Sequence, residues 1–243
     1  MPRRAGTRSN DDMALLLTLL ILAAEAPTRT DEAAAALAAG DKPKAIALLK
    51  EIGTLKGNDA EALALVKLVR EPEVTKQPEV LEECFLALKG IGSRKVTPAL
   101  LKLLDHSTLK ELEAVRTGVC RAFQGSADPD GAEALLDLLH DREDRVIAAA
   151  AEAAGAYRYA KEPLRKELFK GILDVYESNW NLKNSVKPEL KVEKRRAERR
   201  WEVVEGAMEK SLQLLSNVTQ PDPPSWRRWW NKNKKDRWAD LEN

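Results

Sequence analysis

Apolar side chains recur at three- and four-residue steps through most of this chain, which is the pattern of helices that bury one face. A stretch in the middle shows the spacing clearly. Its apolar positions are Val80, Leu81, Cys84, Phe85 and Leu88. No stretch alternates apolar and polar residues over enough length to predict a strand. The hydrophobic pattern therefore predicts an all-α protein.

The helical pattern also repeats at the level of helix pairs. The sequence Ala-Leu-Leu-Asp-Leu-Leu-His-Asp at 134–141 echoes Ala-Leu-Leu-Lys-Leu-Leu-Asp-His at 99–106. A recurrence about one helix pair later is typical of stacked helical arrays, in which each pair buries its apolar face against its neighbours. We therefore predict an α-solenoid of stacked antiparallel helix pairs over residues 31–178.

One segment of this array resembles a known family. Residues 88–105 read Leu-Lys-Gly-Ile-Gly-Ser-Arg-Lys-Val-Thr-Pro-Ala-Leu-Leu-Lys-Leu-Leu-Asp. They resemble the inter-helix turn and second helix of a bacterial HEAT repeat, in which a glycine ends the first helix and a Leu-rich second helix ends in Asp. The resemblance is good over 86–105, fair over 112–140, and degenerate over 32–70 and 146–176. It implies a HEAT-like architecture and no particular activity.

A long amphipathic helix is predicted over residues 187–216, with a basic surface beside its apolar stripe. The candidate residues of this basic surface are Lys191, Arg195, Arg196, Arg199 and Arg200. Glutamates lie among them at helical pairing distances and cancel much of their positive charge. We therefore favour a solvated face over a nucleic-acid or phosphate surface.

The last segment, residues 222–243, is a basic tail that holds four of the six tryptophans of the chain. Its candidate docking or binding residues are Trp226, Trp229, Trp230, Trp238, Arg227 and Arg228. Ser225 is predicted to be the N-cap of a short helix. Such a tail is similar to the ends of exported HEAT-repeat proteins of some environmental bacteria.

Three hypotheses compete for this tail. The tryptophans could dock on a solenoid, either their own or another protein's, because each indole can bury roughly 150–250 Å². Alternatively, Trp beside Arg and Lys suits a membrane surface, and indoles can stack on nucleic-acid bases. Docking is favoured, since large aromatic side chains are usually buried; the choice between the chain's own solenoid and another protein stays open.

The N-terminal segment 1–26 has the features of a signal peptide. Three arginines precede an apolar run at 14–24, which is too short for the roughly 20 residues that span a bilayer. A buried first helix is the alternative, and translation could also begin at Met13. A signal peptide predicts an exported or periplasmic protein; without it the protein is expected to be cytoplasmic.

Charge and composition add one regional feature, an excess of positive charge in the C-terminal quarter of the chain. The net charge of the 243 residues is +1, which argues against a protein that binds polyanions over its whole surface. Residues 179–243, however, carry 15 Lys and Arg against 10 Asp and Glu, so an anionic partner would meet the C-terminal quarter. The only cysteines are Cys84 and Cys120, which we interpret as core residues rather than a disulfide.

The sequence offers little catalytic chemistry. The two histidines, His106 and His140, form no metal-binding spacing, and no phosphate-loop, zinc-protease or serine-hydrolase motif occurs. We therefore expect no catalytic, cofactor or metal residues. The favoured function is a non-enzymatic scaffold that binds another protein, with nucleic acid not favoured as a partner. The alternatives are a HEAT-like enzyme acting on nucleic acid or a modified protein, and peripheral membrane attachment through the tail.

Overall fold

The computed structural model describes residues 28–187 and 189–239, and all regular elements in these residues are helical. Segment 1–26, predicted to be a signal peptide or a buried first helix, lies outside the described residues. The α-helices are α1 (Arg29–Ala38), α2 (Lys42–Ile52), α3 (Asp59–Leu68), α4 (Pro72–Thr75), α5 (Pro78–Ile91), α6 (Thr97–Asp105), α7 (Glu113–Ser126), α8 (Ala132–Leu138), α9 (Asp144–Gly155), α10 (Glu162–Ser185), α11 (Lys191–Ser216) and α12 (Pro223–Asn233). Short 3₁₀ turns occur at Arg94–Val96, Leu109–Glu111, Pro129–Gly131 and Ala156–Tyr159.

The helices form two rows. In the first row α2, α5, α7, α9 and α11 pack side by side in that order. The second row contains α1, α3, α6, α8 and α10, which pack on the first row: α6 on α7, α8 on α9 and α10 on α11. The last helix, α12, packs on α10. Each helix thus buries its apolar stripe against neighbours in one continuous core. The predicted all-α solenoid is confirmed.

The stack continues through the C-terminal quarter. The array end predicted at residue 178 lies inside α10, and α11 packs on α9 and α10 as the next helix of the first row. The helix predicted over 187–216 begins at Lys191. A change in composition suggested a separate segment here, but the apolar face of α11 is buried by its neighbours in the same core.

The predicted N-cap of the last helix is wrong. Asp222 caps α12, and its Oδ1 accepts a hydrogen bond from the backbone N–H of Ser225 at 2.7 Å. Ser225 lies within the first turn. Two prolines precede it, and proline suits the start of a helix because the N–H it lacks would have no intrahelical partner there.

Glycines let neighbouring first-row helices approach at the level of the backbone. A Cβ atom added to Gly90 of α5 would lie 2.2 Å from the carbonyl oxygen of Gly53. One added to Gly125 of α7 would lie 2.1 Å from the carbonyl oxygen of Lys89. Gly90 and Gly125 both lie inside their helices, near the C-terminal ends. The residue that ends α5 is Gly92, whose φ of 68° lies in the left-handed region that glycine adopts without strain.

Hydrogen bonds between loops fix the register of successive helix pairs. The Ser93 hydroxyl donates to Asp59 Oδ1 at 2.6 Å, and the Thr97 hydroxyl donates to Asp128 Oδ2 at 2.6 Å. The Tyr157 hydroxyl then donates to the carbonyl oxygen of Asp128 at 2.7 Å. These partners lie 29 to 34 residues apart, so each bond joins one helix pair to the next.

A buried ion pair supports the start of α7. Arg116 Nε contacts Asp141 Oδ2 at 2.7 Å and Nη2 contacts Oδ1 at 3.1 Å, while Nη1 donates to the carbonyl oxygen of Lys110 at 2.6 Å. The Arg116 side chain is 8% exposed and that of Asp141 is 9% exposed, so water has little access to the pair. Cys84 and Cys120 lie in the same core as free thiols, and burial raises the pKa of the Cys84 thiol to about 12.

Candidate interaction surfaces

An acidic groove lies between the second-row helices α6 and α8. Its volume is about 590 Å³. The residues that line it are Leu101, Leu104, Asp105, Asp130, Glu133, Ala134, Asp137 and Leu138. The four carboxylates are exposed, and none has an ion pair among residues 28–187 and 189–239. The groove therefore combines uncompensated negative charge with an aliphatic floor.

This groove is not among the predicted sites, although the sequence carries one signal of it. Residues 128–141 hold five Asp and Glu residues and no Lys or Arg. That run places acidic side chains before and along α8. It does not show that α6 supplies Asp105 and two leucines to the same depression, because α6 lies about thirty residues earlier in the chain.

A second groove crosses the first row, where α5, α7, α9 and α11 lie side by side. Its volume is about 530 Å³. Two ion pairs neutralise most of its charge: Arg121 Nη1 contacts Glu82 Oε1 at 2.8 Å, and Arg145 lies 4.0 Å from Glu113. Glu152 is the one charged residue of this lining without an ion pair within the described residues, so the groove has mixed charge and only a weak net field.

The tryptophans of the tail surround one phenylalanine of α10. Four indoles have ring centroids between 5.3 and 5.7 Å from the ring of Phe169. They belong to Trp226, Trp229, Trp230 and Trp238. Trp226 is fully buried, Trp230 and Trp238 are buried, and Trp229 is half-buried. The aromatic face of α12 is thus covered by the chain itself.

Polar contacts hold the tail in the same place. Arg227 Nε donates to Glu177 Oε2 at 2.8 Å, and Nη2 donates to Asp174 Oδ1 at 2.6 Å, both on α10. The buried Arg165 donates through Nη2 to the carbonyl oxygen of Ala239 at 2.7 Å. Arg228, in contrast, is exposed and donates to the Ser225 hydroxyl, a local contact within α12, at 2.9 Å.

The basic surface of α11 divides into one paired and several unpaired cations. Arg200 Nε donates to Asp144 Oδ1 at the start of α9, at 2.5 Å. Four others are exposed and have no ion pair within the described part of the chain; they are Lys191, Arg195, Arg196 and Arg199. The neighbouring glutamates of α11 likewise form no ion pair with them there. The expected helical Glu–Lys/Arg pairs are therefore not formed.

Comparison with known families decides the identity of the central helices. Residues 62–156 match the family model of HEAT repeats. This part of the chain consists of HEAT repeats. The match includes both segments in which the resemblance is clearest, 86–105 and 112–140, so the resemblance to HEAT repeats is confirmed. A search of curated proteins and a search of solved structures found no match to the chain.

The HEAT repeats hold the acidic groove, whereas the docking residues and the basic surface lie beyond residue 156. The sequence left open whether the tail docks on its own solenoid or on another protein, and the structure places it on α10 of its own chain. Trp180 and Trp201, on the last helix pair, also contact each other, with ring centroids 5.3 Å apart. Trp201 stacks on Tyr176 at 5.2 Å.

The described residues include both histidines and both cysteines of the chain. No group of three or more His, Cys, Asp or Glu side chains among them is arranged to hold a metal ion. His106 Nδ1 lies 3.3 Å from the backbone N–H of Thr108, which is a local turn contact. Within the same residues no helix is long and apolar enough to cross a membrane.

Proposed function

We propose that the protein is a non-enzymatic scaffold whose HEAT-repeat array binds another protein. Arrays of stacked helix pairs generally work by presenting an extended binding surface. The observation that carries the proposal is the acidic groove between α6 and α8, where uncompensated carboxylates surround half-buried leucines. The partner that fits this lining is a basic amphipathic segment, whose Lys and Arg face the carboxylates and whose apolar side chains cover the leucines.

The lining of the grooves also favours a scaffold over an enzyme that acts on nucleic acid. A nucleic-acid site needs a basic cleft, because phosphate contacts dominate the affinity. The groove on the first row has mixed charge without an excess of cations, and the groove between α6 and α8 is acidic. Neither contains an aromatic side chain on which a base could stack.

Binding of a basic amphipathic peptide tests the proposal. The probe is a short fluorescent helix of Lys and Leu, compared with the same helix carrying Glu in place of Lys. We expect the basic peptide to bind and the acidic one not to bind, with an affinity that falls as salt is added. The double change Glu133→Lys with Asp137→Lys should weaken binding at least about tenfold, since reversing two rim charges costs about 1.4 kcal/mol or more.

A matched control variant distinguishes binding at the groove from attraction by the overall charge of the protein. Glu167 and Glu202 are exposed and lie outside the groove, and neither has an ion pair within the described residues. The variant with both changed to Lys alters net charge by the same amount and should keep the wild-type affinity. Equal losses in the two double variants would show general charge attraction and would contradict a groove-specific site.

A further inference from the structure

The last two long helices extend beyond the rest of the stack. Arg200 contacts Asp144 at the start of α9, and Gly155 at its end lies against Ser211, so α9 runs beside residues 200–211 of α11. The start of α11 therefore has no first-row neighbour among the described helices. We name residues 181–187 and 189–199, at the far end of α10 and α11, the hairpin tip. From 181 to 196 none of its described residues is buried.

The hairpin tip is strongly basic. Its cations are Lys183, Lys187, Lys191, Lys194, Arg195, Arg196 and Arg199, against three glutamates at 189, 193 and 198. None of these charges has an ion pair among the residues that the structure describes. The positive charge of the C-terminal quarter is thus concentrated on a projecting end and stays uncompensated there.

Exposed aliphatic side chains lie at the same end. Val192 is 77% exposed, Leu190 is 50% exposed and Leu182 is 44% exposed. They are the three most exposed large hydrophobic residues in the described part of the chain. Burying this apolar surface would be favourable, and the cations around it restrict the partner to one with negative charge.

We propose that the hairpin tip docks on the surface of a membrane that contains anionic lipids. Lys and Arg near such a surface each strengthen binding by about fivefold, and aliphatic side chains beside them can enter the boundary between headgroups and acyl chains. A lipid surface also adapts to a narrow projecting end, whereas a stable protein interface needs roughly 800 Å² on each partner.

Nucleic acid fits the hairpin tip less well. Its exposed apolar residues are aliphatic, and aliphatic side chains cannot stack on bases as aromatic rings do. The nearby rings of Trp180 and Trp201 are in contact with each other, and the ammonium group of Lys183 lies 4.9 Å from the ring centre of Trp201. The proposal is also independent of the tail, whose tryptophans are packed on α10.

Co-sedimentation of the full chain with vesicles tests the proposal. Vesicles of phosphatidylcholine with about a third phosphatidylserine are compared with pure phosphatidylcholine. Every variant shares the apolar run at 14–24, so the readout is the ratio of the two binding constants rather than either alone. We expect a ratio above about tenfold at low salt, which falls as salt is added.

Two variants of the tip probe its two contributions. Arg195→Glu, Arg196→Glu and Arg199→Glu together should bring the ratio close to one. Leu190→Ser with Val192→Ser leaves the charge unchanged and should lower binding to anionic vesicles severalfold. All five side chains are exposed, so circular dichroism spectra and melting temperatures should match the wild type.

A charge-matched control completes the test. Lys50, Lys56 and Lys102 are exposed, lie away from the tip, and have no ion pair within the described residues. Changing all three to Glu should leave the ratio at a clearly higher value than in the tip variant. The proposal is overturned if the ratio of binding constants falls equally in the two triple variants, or if the wild-type protein does not bind anionic vesicles more tightly than neutral ones. Binding of an oligonucleotide at the same salt, without vesicle binding, would assign the tip to nucleic acid instead.

Discussion

The close approach between first-row helices predicts that a glycine-to-alanine change is destabilising where the helices touch and stabilising where they do not. Replacing Gly90 by Ala places a Cβ atom 2.2 Å from the carbonyl oxygen of Gly53 and 2.9 Å from its carbonyl carbon. These are backbone atoms, so no side-chain rotation can relieve the overlap, and α2 and α5 must move apart. In a packed interior such overpacking costs about 1–3 kcal/mol.

The gain from helix propensity does not offset this cost. Ala is better than Gly inside a helix by up to about 1 kcal/mol. Since Gly90 is next to the last residue of α5, the gain is smaller there. We therefore expect Gly90→Ala to lower the free energy of unfolding by about 1–2 kcal/mol. Gly125→Ala should behave alike, because its Cβ atom would lie 2.1 Å from the carbonyl oxygen of Lys89.

Gly206 provides the matched control. It lies inside α11, and a Cβ atom added there would have no neighbour within 4 Å. Gly206→Ala should therefore raise the free energy of unfolding by about 0.5–1 kcal/mol. Urea unfolding followed by far-UV circular dichroism measures all three variants. If Gly90→Ala or Gly125→Ala proved as stable as the wild type, the backbone-level contact between these helices would be refuted.

Two further predictions concern the core. Arg116→Ala leaves the Asp141 carboxylate without its cation and should lower the free energy of unfolding in urea by about 3–5 kcal/mol. Replacing both residues by apolar ones should cost much less than the sum of the two single changes. A loss below about 1 kcal/mol in the single variant would contradict the importance of the pair. Burial raises the pKa values of Cys84 (to about 12) and Cys120, so both stay as thiols at neutral pH. Neither should react with a disulfide reagent in the folded protein, and both should react in denaturant; rapid labelling without denaturant would show that they are accessible.

The structure separates surfaces that the sequence treated alike. The tail and α11 both combine apolar residues with Lys and Arg, so either could have met an anionic partner. In the fold, Arg227 of the tail is neutralised by Asp174 and Glu177 and the indoles pack on Phe169. The tail thus covers an apolar side of α10 near the end of the stack, as terminal helices of a solenoid are expected to do.

The helices were predictable because their cause is local. A period of 3.6 residues places apolar side chains on one face whatever lies opposite, and proline and glycine mark many of the ends. The echo between 99–106 and 134–141 then predicted the stacked pairs, since a helix with one apolar face needs a neighbour. The prediction of Ser225 as a cap failed because Asp222 competes for the same role and two prolines suit the first turn.

By itself, the sequence determined that this chain is an all-α solenoid with HEAT-like pairs, because hydrophobic periodicity and repetition can be read from consecutive residues. Only the tertiary structure decided which surfaces are covered. The acidic groove joins α6 to α8, Gly90 meets Gly53, and the indoles of α12 enclose Phe169 some sixty residues earlier. The amphipathic pattern shows that a face must be buried, but packing between distant helices selects what buries it and leaves the hairpin tip uncovered.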